Sequence, residues 1–372
     1  MRAIVIGTGW AGEGHTLGLR HAGVDVVALC GRTPEHAKAA AERLGIDDLR
    51  FDYRQAIQDL RPDIVAIGTT VAPHREMAEA AAAAGCHVVC DKPLAANAAD
   101  AKAMLDAVTA TGVRHGYPTV GALYPWVTLA RSLVADGEIG QLRHIDLLGR
   151  GEPEPATPYS WMSRLADGGG ALNTVFSHML QMIRRVAGAE LVAVAGVATR
   201  WVDRRAIGDA HHIRDVMEER VDLSRTDLEW RDVDVDDSID VVMRLRQAAG
   251  GEITATARWE RGRPPAPPTA LIQGSEATFE VTGIDAQEID VHRPDGTVEP
   301  RTIPVELFVD DGEGERTQKA WNRFFARFVR DVSGRPDGDY PTFHDGYVCC
   351  QAIDAIRSGS GMVTIRDSPA PA

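Results

Sequence analysis

Over the first 115 residues, short apolar runs alternate with amphipathic stretches. Ala3 to Ile6 is an apolar run ending in glycine, and Ala11 to Ala22 follows with helical spacing. Val24 to Cys30 is a second apolar run. Pro34, a residue suited to a first helical turn, opens a helix to Leu44. Asp63 to Gly68 predicts a third strand, and His74 to Ala84 an alanine-rich helix stopped by Gly85. Cys86 to Cys90 makes a fourth strand. Ala98 to Thr111 makes another helix, stopped by Gly112. Strands alternating with helices of this length predict βαβ units and a parallel sheet. Continuous apolar runs fit strands covered on both faces.

The pattern changes after about residue 140. Leu142 to Leu148, Leu191 to Trp201, Ser238 to Arg246, Glu252 to Trp259, Ala270 to Gln273, Thr278 to Thr282 and Glu288 to His292 read as strands, several alternating with period two. Glycine-bearing turns join them, as at Ala248-Ala249-Gly250-Gly251, which predicts an antiparallel sheet. Pro125 to Asp136, Gly170 to Val186 and Gln318 to Val332 are the helices set among them. The boundary falls near residue 120, giving units over 1–120 and 121–372. Between Asp203 and Asp237 twelve acidic residues face six basic ones, which reads as a solvated excursion containing His211-His212. Arg261 to Pro268 reads as a proline-rich connector, and Ser368 to Ala372 as a frayed tail.

Composition narrows the class. At about 150 residues per domain, 372 residues make two or three domains. A net charge of −14 argues against nucleic-acid and anionic-membrane partners. It leaves room for one local phosphate pocket. No run of apolar residues is long enough to cross a membrane, and the first residues carry no secretory h-region. Five scattered cysteines, an odd number, suit a reducing cytoplasm.

Four segments carry chemistry. Gly7-Thr8-Gly9-Trp10-Ala11-Gly12 is a G-x-G-x-x-G directly after the first strand and opening the first helix. Gly7 permits the tight turn, Gly9 the approach of a pyrophosphate, and Gly12 close helix–strand packing. At the end of the second strand, where an NAD site places a carboxylate, stands Cys30-Gly31-Arg32-Thr33. A 2′-phosphate would meet the Arg32 guanidinium and the Thr33 hydroxyl, which points to NADP over NAD. Cys90-Asp91-Lys92-Pro93 ends the fourth strand, so Lys92 faces the crevice, where an ammonium polarises a carbonyl or holds an alkoxide. Gly168-Gly169-Gly170-Ala171-Leu172-Asn173-Thr174-Val175-Phe176-Ser177-His178 enters a helix with Thr174 and His178 one turn apart on one face. Cys86, His87 and Cys90 lack a second ligand pair at zinc spacing, so no metal site is expected.

Together these segments resemble the Gfo/Idh/MocA oxidoreductase family over nearly the whole chain. Asp91-Lys92-Pro93 is similar to the family's Glu-Lys-Pro, and His178 stands in its histidine place. Ile272-Gln273-Gly274-Ser275-Glu276-Ala277-Thr278-Phe279 resembles its strand and turn in the large sheet. The resemblance implies an α/β protein: an N-terminal Rossmann domain, residues 1–120, plus a C-terminal α/β domain with an open, mostly antiparallel sheet, residues 121–372, for substrate binding and oligomerisation. It implies that Lys92 hydrogen-bonds the reacting oxygen and that His178 is the general acid/base. It also implies that Thr69, Thr70, Pro73 and His74 form the loop under the cofactor ribose and nicotinamide. Relatives associate through the open sheet, so a homodimer or homotetramer is expected, formed by covering an apolar face.

Two positions depart from the family pattern. Thr174 stands where the family has Asp, and Phe176 where it has Gly. The polyol-binding half of the site therefore falls to Asn173 or to other groups such as Tyr124, Tyr159 and Trp161. The expected activity is NADP(H)-dependent hydride transfer to or from a CH–OH/C=O carbon of a sugar, cyclitol or sugar derivative. A reductase of a non-sugar ketone or imine, a non-catalytic NADP-binding regulator, and a lyase or glycosidase with no net turnover of NADP remain open.

Overall fold

The computed structural model describes residues 1–151, 156–209, 220–248, 250–261, 266–335 and 339–365. His211-His212, part of the proline-rich connector and the Ser368–Ala372 tail lie outside the described residues. In the first domain β1 (Arg2–Ile6), α1 (Trp10–His21), β2 (Asp25–Cys30), α2 (Pro34–Leu44), β3 (Leu49–Arg50), α3 (Tyr53–Leu60), β4 (Ile64–Ile67), α4 (His74–Ala83), β5 (His87–Cys90), α5 (Ala98–Thr111) and β6 (His115–Gly116) follow one another. The strands stand in the order β3-β2-β1-β4-β5-β6, all parallel. Ala3, Ile4 and Val5, and the whole of β4, are fully buried, so both faces are covered as the continuous apolar runs require. The order reverses between β1 and β4, and that opens a crevice at the carboxyl ends of the strands.

The second domain opens with α6 (Pro125–Ala135) and β7 (Leu142–Gly151), then α7 (Ser177–Ala187) and β8 (Ala189–Thr199). β9 (Arg204–Ala206) and β10 (Trp230–Asp232) form a separate two-stranded ribbon inside the acidic excursion. β11 (Ser238–Gln247), β12 (Glu252–Arg261), β13 (Thr269–Gly274), β14 (Thr278–Thr282), β15 (Glu288–His292) and β16 (Val298–Thr302) extend the main sheet. α8 (Arg316–Val332), α9 (Phe343–Arg357) and β17 (Val363–Thr364) close the chain. The nine strands run β16-β15-β14-β13-β7-β12-β11-β8-β17, with β7–β12 the parallel pair. Ile239, Val241, Met243 and Leu245 of β11 point inward to the helices, while Asp240, Val242, Arg244 and Arg246 point out.

The outer face of this sheet is mixed: Thr256 donates to Asp146, Arg258 pairs with Asp240, and His292 pairs with Glu280 across β15 and β14, while Val197 and Val242 stand exposed among them. Several elements escape the sequence pattern: β3, β6, β9, β10 and β17, each two or three residues long, and three larger ones. α3 is short, and its start is marked by Asp52, whose carboxylate accepts the N–H groups of Arg54 and Gln55 at 2.9 and 3.1 Å. α9 is at least partly buried along its whole length, which blurs its period, and its signal is the Thr342–Asp345 capping box. β16 carries Pro300 and lies at the sheet edge, where proline is tolerated.

The two domains are joined by more than the chain. α8 crosses α1, and Gly14 and Gly18 make room for the rings of Trp321 and Phe325. A Cβ on Gly14 would overlap the Trp321 indole. Gly14→Ala should therefore cost about 1–3 kcal/mol by overpacking. A thermal melt reads this as a Tm several degrees lower, and an unchanged Tm would show that the ring can move aside.

Candidate active site

The glycine turn is closed at two of its residues and open at the third. Gly7 sits at φ +124°, and a Cβ there would overlap the Gly68 carbonyl. A Cβ on Gly12 would overlap the carbonyl of Gly7. At Gly9 nothing lies within 4 Å of where a Cβ would stand, and Gly9 begins α1 without a side-chain cap. The open backbone and the positive end of a 12-residue helix are what a pyrophosphate needs, so the residues present fit a dinucleotide. The Thr8 methyl faces Gly31, where a Cβ would meet it at 2.8 Å. Trp10 packs against Trp321 with ring centroids 4.9 Å apart. Ala11 is half-buried behind it.

Gly31 ends β2 with its N–H bonded to the Arg50 carbonyl, and Arg32 is exposed beside it. No ion pair ties Arg32 to a carboxylate among the described residues. Asp48, just before β3, and Asp59 of α3 both pair with Arg50. Thr33 is the N-cap residue of α2, its hydroxyl making no cap bond.

Thr69 and Thr70 end β4 at the crevice, the Thr69 hydroxyl donating to the Thr70 carbonyl at 3.0 Å. His74 departs from its expected place under the cofactor. Its ring is fully buried, with Nδ1 3.1 and 3.2 Å from the carbonyl oxygens of Pro93 and Leu94 and Nε2 3.1 Å from that of Thr69. It pins the β4 loop to the Lys92-Pro93 turn and has no free polar edge. Asp91 likewise turns inward, 3.6 Å from Nε2 of the buried His15. Burial works to raise the Asp91 carboxyl, but the neighbouring His15 and the Lys92 charge hold it below its ordinary range. Burial pushes the Lys92 ammonium below its ordinary value, against the pull of Asp91.

The glycines of the second domain bring His178 to this turn. Gly168, at φ +90°, lies against Pro93, where a Cβ would be 3.2 Å from the ring. A Cβ on Gly169 would overlap the Met162 carbonyl, and one on Gly170 would be 2.7 Å from Asp236. The Asp236 carboxylate accepts the Leu172 N–H at 2.7 Å. From Leu172 to Phe176 the chain makes a π-helical turn before α7 begins, a feature common at functional sites. Phe176, where a glycine was expected, is fully buried core. His178 is the second residue of α7 and is half-buried. Its Nδ1 accepts the Gly121 N–H at 3.4 Å. Burial, then the nearby Lys92 charge, push the imidazole down to about 3, with Asp91 opposing.

Several expected substrate groups are already engaged. The Thr174 hydroxyl donates to the Gly170 carbonyl at 2.7 Å, and the Asn173 amide to that of Gly169 at 2.9 Å. Tyr124 is buried beside Arg316, in a 460 Å³ depression shared with Asp285, Lys319 and Arg323 and including neither Lys92 nor His178. Tyr159 lies under the Arg231 guanidinium of the small ribbon, 5.7 Å away. Trp161 opens the short turn Trp161–Ser163 whose carbonyls back Gly169. Sequence reasoning missed His15 and Gly121. His15 had a signal, a polar residue on the apolar side of α1. Gly121 had none, because its contribution is a backbone N–H.

Residues 1–117 match the model of an oxidoreductase family with an NAD-binding Rossmann fold, and residues 127–280 match the C-terminal domain model of the same GFO/IDH/MocA family. Levoglucosan dehydrogenase of Pseudarthrobacter phenanthrenivorans is 32% identical over 228 residues, 60% of this chain and 56% of that protein. D-apiose dehydrogenase of Paraburkholderia graminis is 36% identical over 140 residues, 37% of each chain. Inositol 2-dehydrogenase of Rhizobium meliloti is 28% identical over 207 residues, 55% of this chain and 60% of that protein. The chain thus matches about half the length of these curated relatives. A solved levoglucosan dehydrogenase in complex with NADH and L-sorbose superposes with a TM-score of 0.80 at 24% identity, covering 100% of this chain and 99% of that one. An oxidoreductase domain protein from Kribbella flavida gives 0.81 at 25% identity over 98% and 99%. The chain belongs to the Gfo/Idh/MocA family of oxidoreductases.

Proposed function

From that membership, we propose that the chain transfers hydride between a nicotinamide dinucleotide and the CH–OH/C=O carbon of a sugar, cyclitol or related small molecule. The observation that carries the reading is the placement of Lys92 and His178. Lys92 follows β5 at the carboxyl edge of the parallel sheet, Gly168 of the second domain lies against the adjoining Pro93, and Lys92 is near enough to His178 for its charge to act on the ring. The dinucleotide, when bound, supplies or takes up the hydride. Gly9 and the N-terminus of α1 hold its pyrophosphate, and Thr69 and Thr70 border its path. The Lys92 ammonium holds the reacting oxygen, stabilising the charge that develops there. His178 flanks the same oxygen. The relatives' names, dehydrogenases of levoglucosan, apiose and inositol, support the substrate class.

A ketone or imine substrate with fewer hydroxyls is the second reading. It is favoured by Thr174 and Asn173, whose side chains are spent on backbone carbonyls and offer no carboxylate to a polyol.

On the cofactor we infer a preference for NADP, supported by the exposed Arg32 and the lack of a carboxylate at the end of β2. The solved relatives that carry NADH leave this choice to experiment. In paired titrations followed by nicotinamide fluorescence, Arg32→Ala should weaken NADPH by about 1.5–3 kcal/mol, the loss of a hydrogen bond to a charged group, and leave NADH nearly unchanged. Equal loss for both removes Arg32 from the phosphate site.

Lys92→Ala should abolish hydride transfer with a panel of sugars, cyclitols and ketones, while dinucleotide affinity stays within a few-fold. Full activity in this variant would sink the assigned role. For the assembly we infer a homodimer or homotetramer, resting on the open outer face of the sheet, where a 1380 Å³ depression runs between Asp146, Leu148, Val242 and Leu271. Light scattering that finds only monomer would remove that inference.

A further inference from the structure

We propose that Asp236, at the end of the acidic excursion, is a positioning residue for His178. It holds the start of the π-helical turn that decides which way the imidazole points. The inference rests on the hydride-transfer reading for its effect on turnover. Its structural half stands without that reading.

The argument begins with the backbone donors at the head of the segment. The first N–H groups of a helix have no partner within it. Here Asp236 accepts two of them. Its carbonyl takes the Ala171 N–H at 3.0 Å, and its carboxylate Oδ2 takes the Leu172 N–H at 2.7 Å, from 64 residues further along the chain. This is the work of a helix cap, delivered from a distance instead of by the preceding residue. Gly170 permits the approach: at φ +95°, a Cβ there would stand 2.7 Å from Asp236 Oδ1.

The carboxylate is itself held in place. Its side chain is only 10% exposed, and Arg357, at the end of α9, lies 3.7 Å from Oδ1. Val233 and Val235 of the same run are buried. Asp234 accepts the Leu165 N–H at 2.6 Å, and Asp237 accepts the N–H groups of Trp201 and Val202, both at 3.0 Å. Three acids of one short run thus take backbone donors from three other stretches of chain. The solvated character expected of the excursion gives way here to a clasp.

What the clasp controls is register. Leu172 to Phe176 is π-helical, and α7 follows with His178 as its second residue. A π turn holds one residue more than an α turn. If it relaxed to α-helix, the residues after it would rotate by about 100° against those before it. The two sides are tied to different places. Upstream, Gly168 lies against Pro93, and Asp236 holds Ala171 and Leu172. Downstream, His178 Nδ1 accepts the Gly121 N–H at 3.4 Å, and Gly121 is pressed onto α7, where a Cβ would stand 2.5 Å from Met182 Cε. Asn173 and Thr174 bond back into the segment itself. Asp236 is therefore the hydrogen-bonded tie between the head of the turn and the rest of the domain. A slip of one residue there turns the imidazole away from Gly121 and from the oxygen it serves.

The first test needs neither substrate nor cofactor. Protein labelled with nitrogen-15 in histidine is followed by NMR, and the His178 signals are identified by their absence in His178→Gln. Asp236→Asn keeps an oxygen for the Leu172 N–H, so its His178 signals should coincide with those of the wild type. Asp236→Ala removes the acceptor and should move them, while the signals of His15 and His74 in the first domain stay. Unmoved His178 signals in Asp236→Ala overturn the proposal. Should that variant fail to fold, Asp236→Glu takes its place, because it keeps the charge but adds a methylene to the tight approach at Gly170. The second test is turnover. Asp236→Ala should lower kcat by about 10²-fold, the scale of a misplacement of roughly 1 Å. Dinucleotide affinity, set in the first domain, should stay within a few-fold, and Asp236→Asn should keep most of the wild-type kcat. Dinucleotide affinity that falls in step with kcat, or an Asn variant as slow as the Ala variant, also overturns the proposal. A wild-type protein that turns over nothing fails the functional reading alone, because the NMR result still decides whether Asp236 sets the ring.

Discussion

The packing of α8 on α1 is the contact on which the rest of the site depends. α1 carries the dinucleotide cradle at its N-terminus, and its flank carries Gly14 and Gly18. Trp321 and Phe325 fill the space those glycines leave, each buried ring contributing about 1.5–3 kcal/mol. His15 lies edge-on to both rings, so the same contact walls off the acid–histidine pair behind Lys92. Further along α8 the buried Arg323 pairs with Asp311 and donates to the Leu123 carbonyl, next to the turn that bears Gly121. One helix therefore sets where the second domain sits on the crevice and holds the backbone that faces His178.

That dependence explains which features could be read from the sequence. The Rossmann half was legible because its signals are local. The glycine turn follows β1, prolines and glycines mark helix ends, and apolar runs coincide with β1, β2, β4 and β5. The strands of the large sheet were legible by alternation, as in β11. What escaped was set by tertiary context. α9 has little amphipathic pattern because it is covered nearly all round, by α5 among others, and α3 is too short for its period to stand out. The outer face of the sheet mixes exposed valines with polar residues whose cross-strand partners, such as Asp146 and Thr256, satisfy one another, and the sequence does not show those pairings.

At the site, the residue types were legible and their orientations were not. Gly168 lies against Pro93, and Lys92 is near enough to His178 for its charge to act on the ring. His74 and Asp91 are turned inward, since their partners are carbonyls and a histidine far away in sequence. Tyr124, three residues past Gly121, faces Arg316 instead of the cleft. Asn173 and Thr174 bond back to carbonyls four residues earlier, as short polar side chains do within helices. Backbone donors such as Gly121 leave no trace in a sequence at all.

The replacement of a carboxylate by Thr174 and the state of His178 belong to one electrostatic arrangement. An acid at 174 would sit one turn from the imidazole and favour its cation. Without it, the ring's strongest neighbour is the Lys92 ammonium, and two cations cannot share a desolvated cleft cheaply. A shift of the imidazole from about 6.5 to about 3 sets several kcal/mol against its protonation. Burial works against the Lys92 ammonium as well, and Asp91 opposes it at both groups. The charge that develops on a reacting oxygen then has one ammonium and one neutral N–H to meet it.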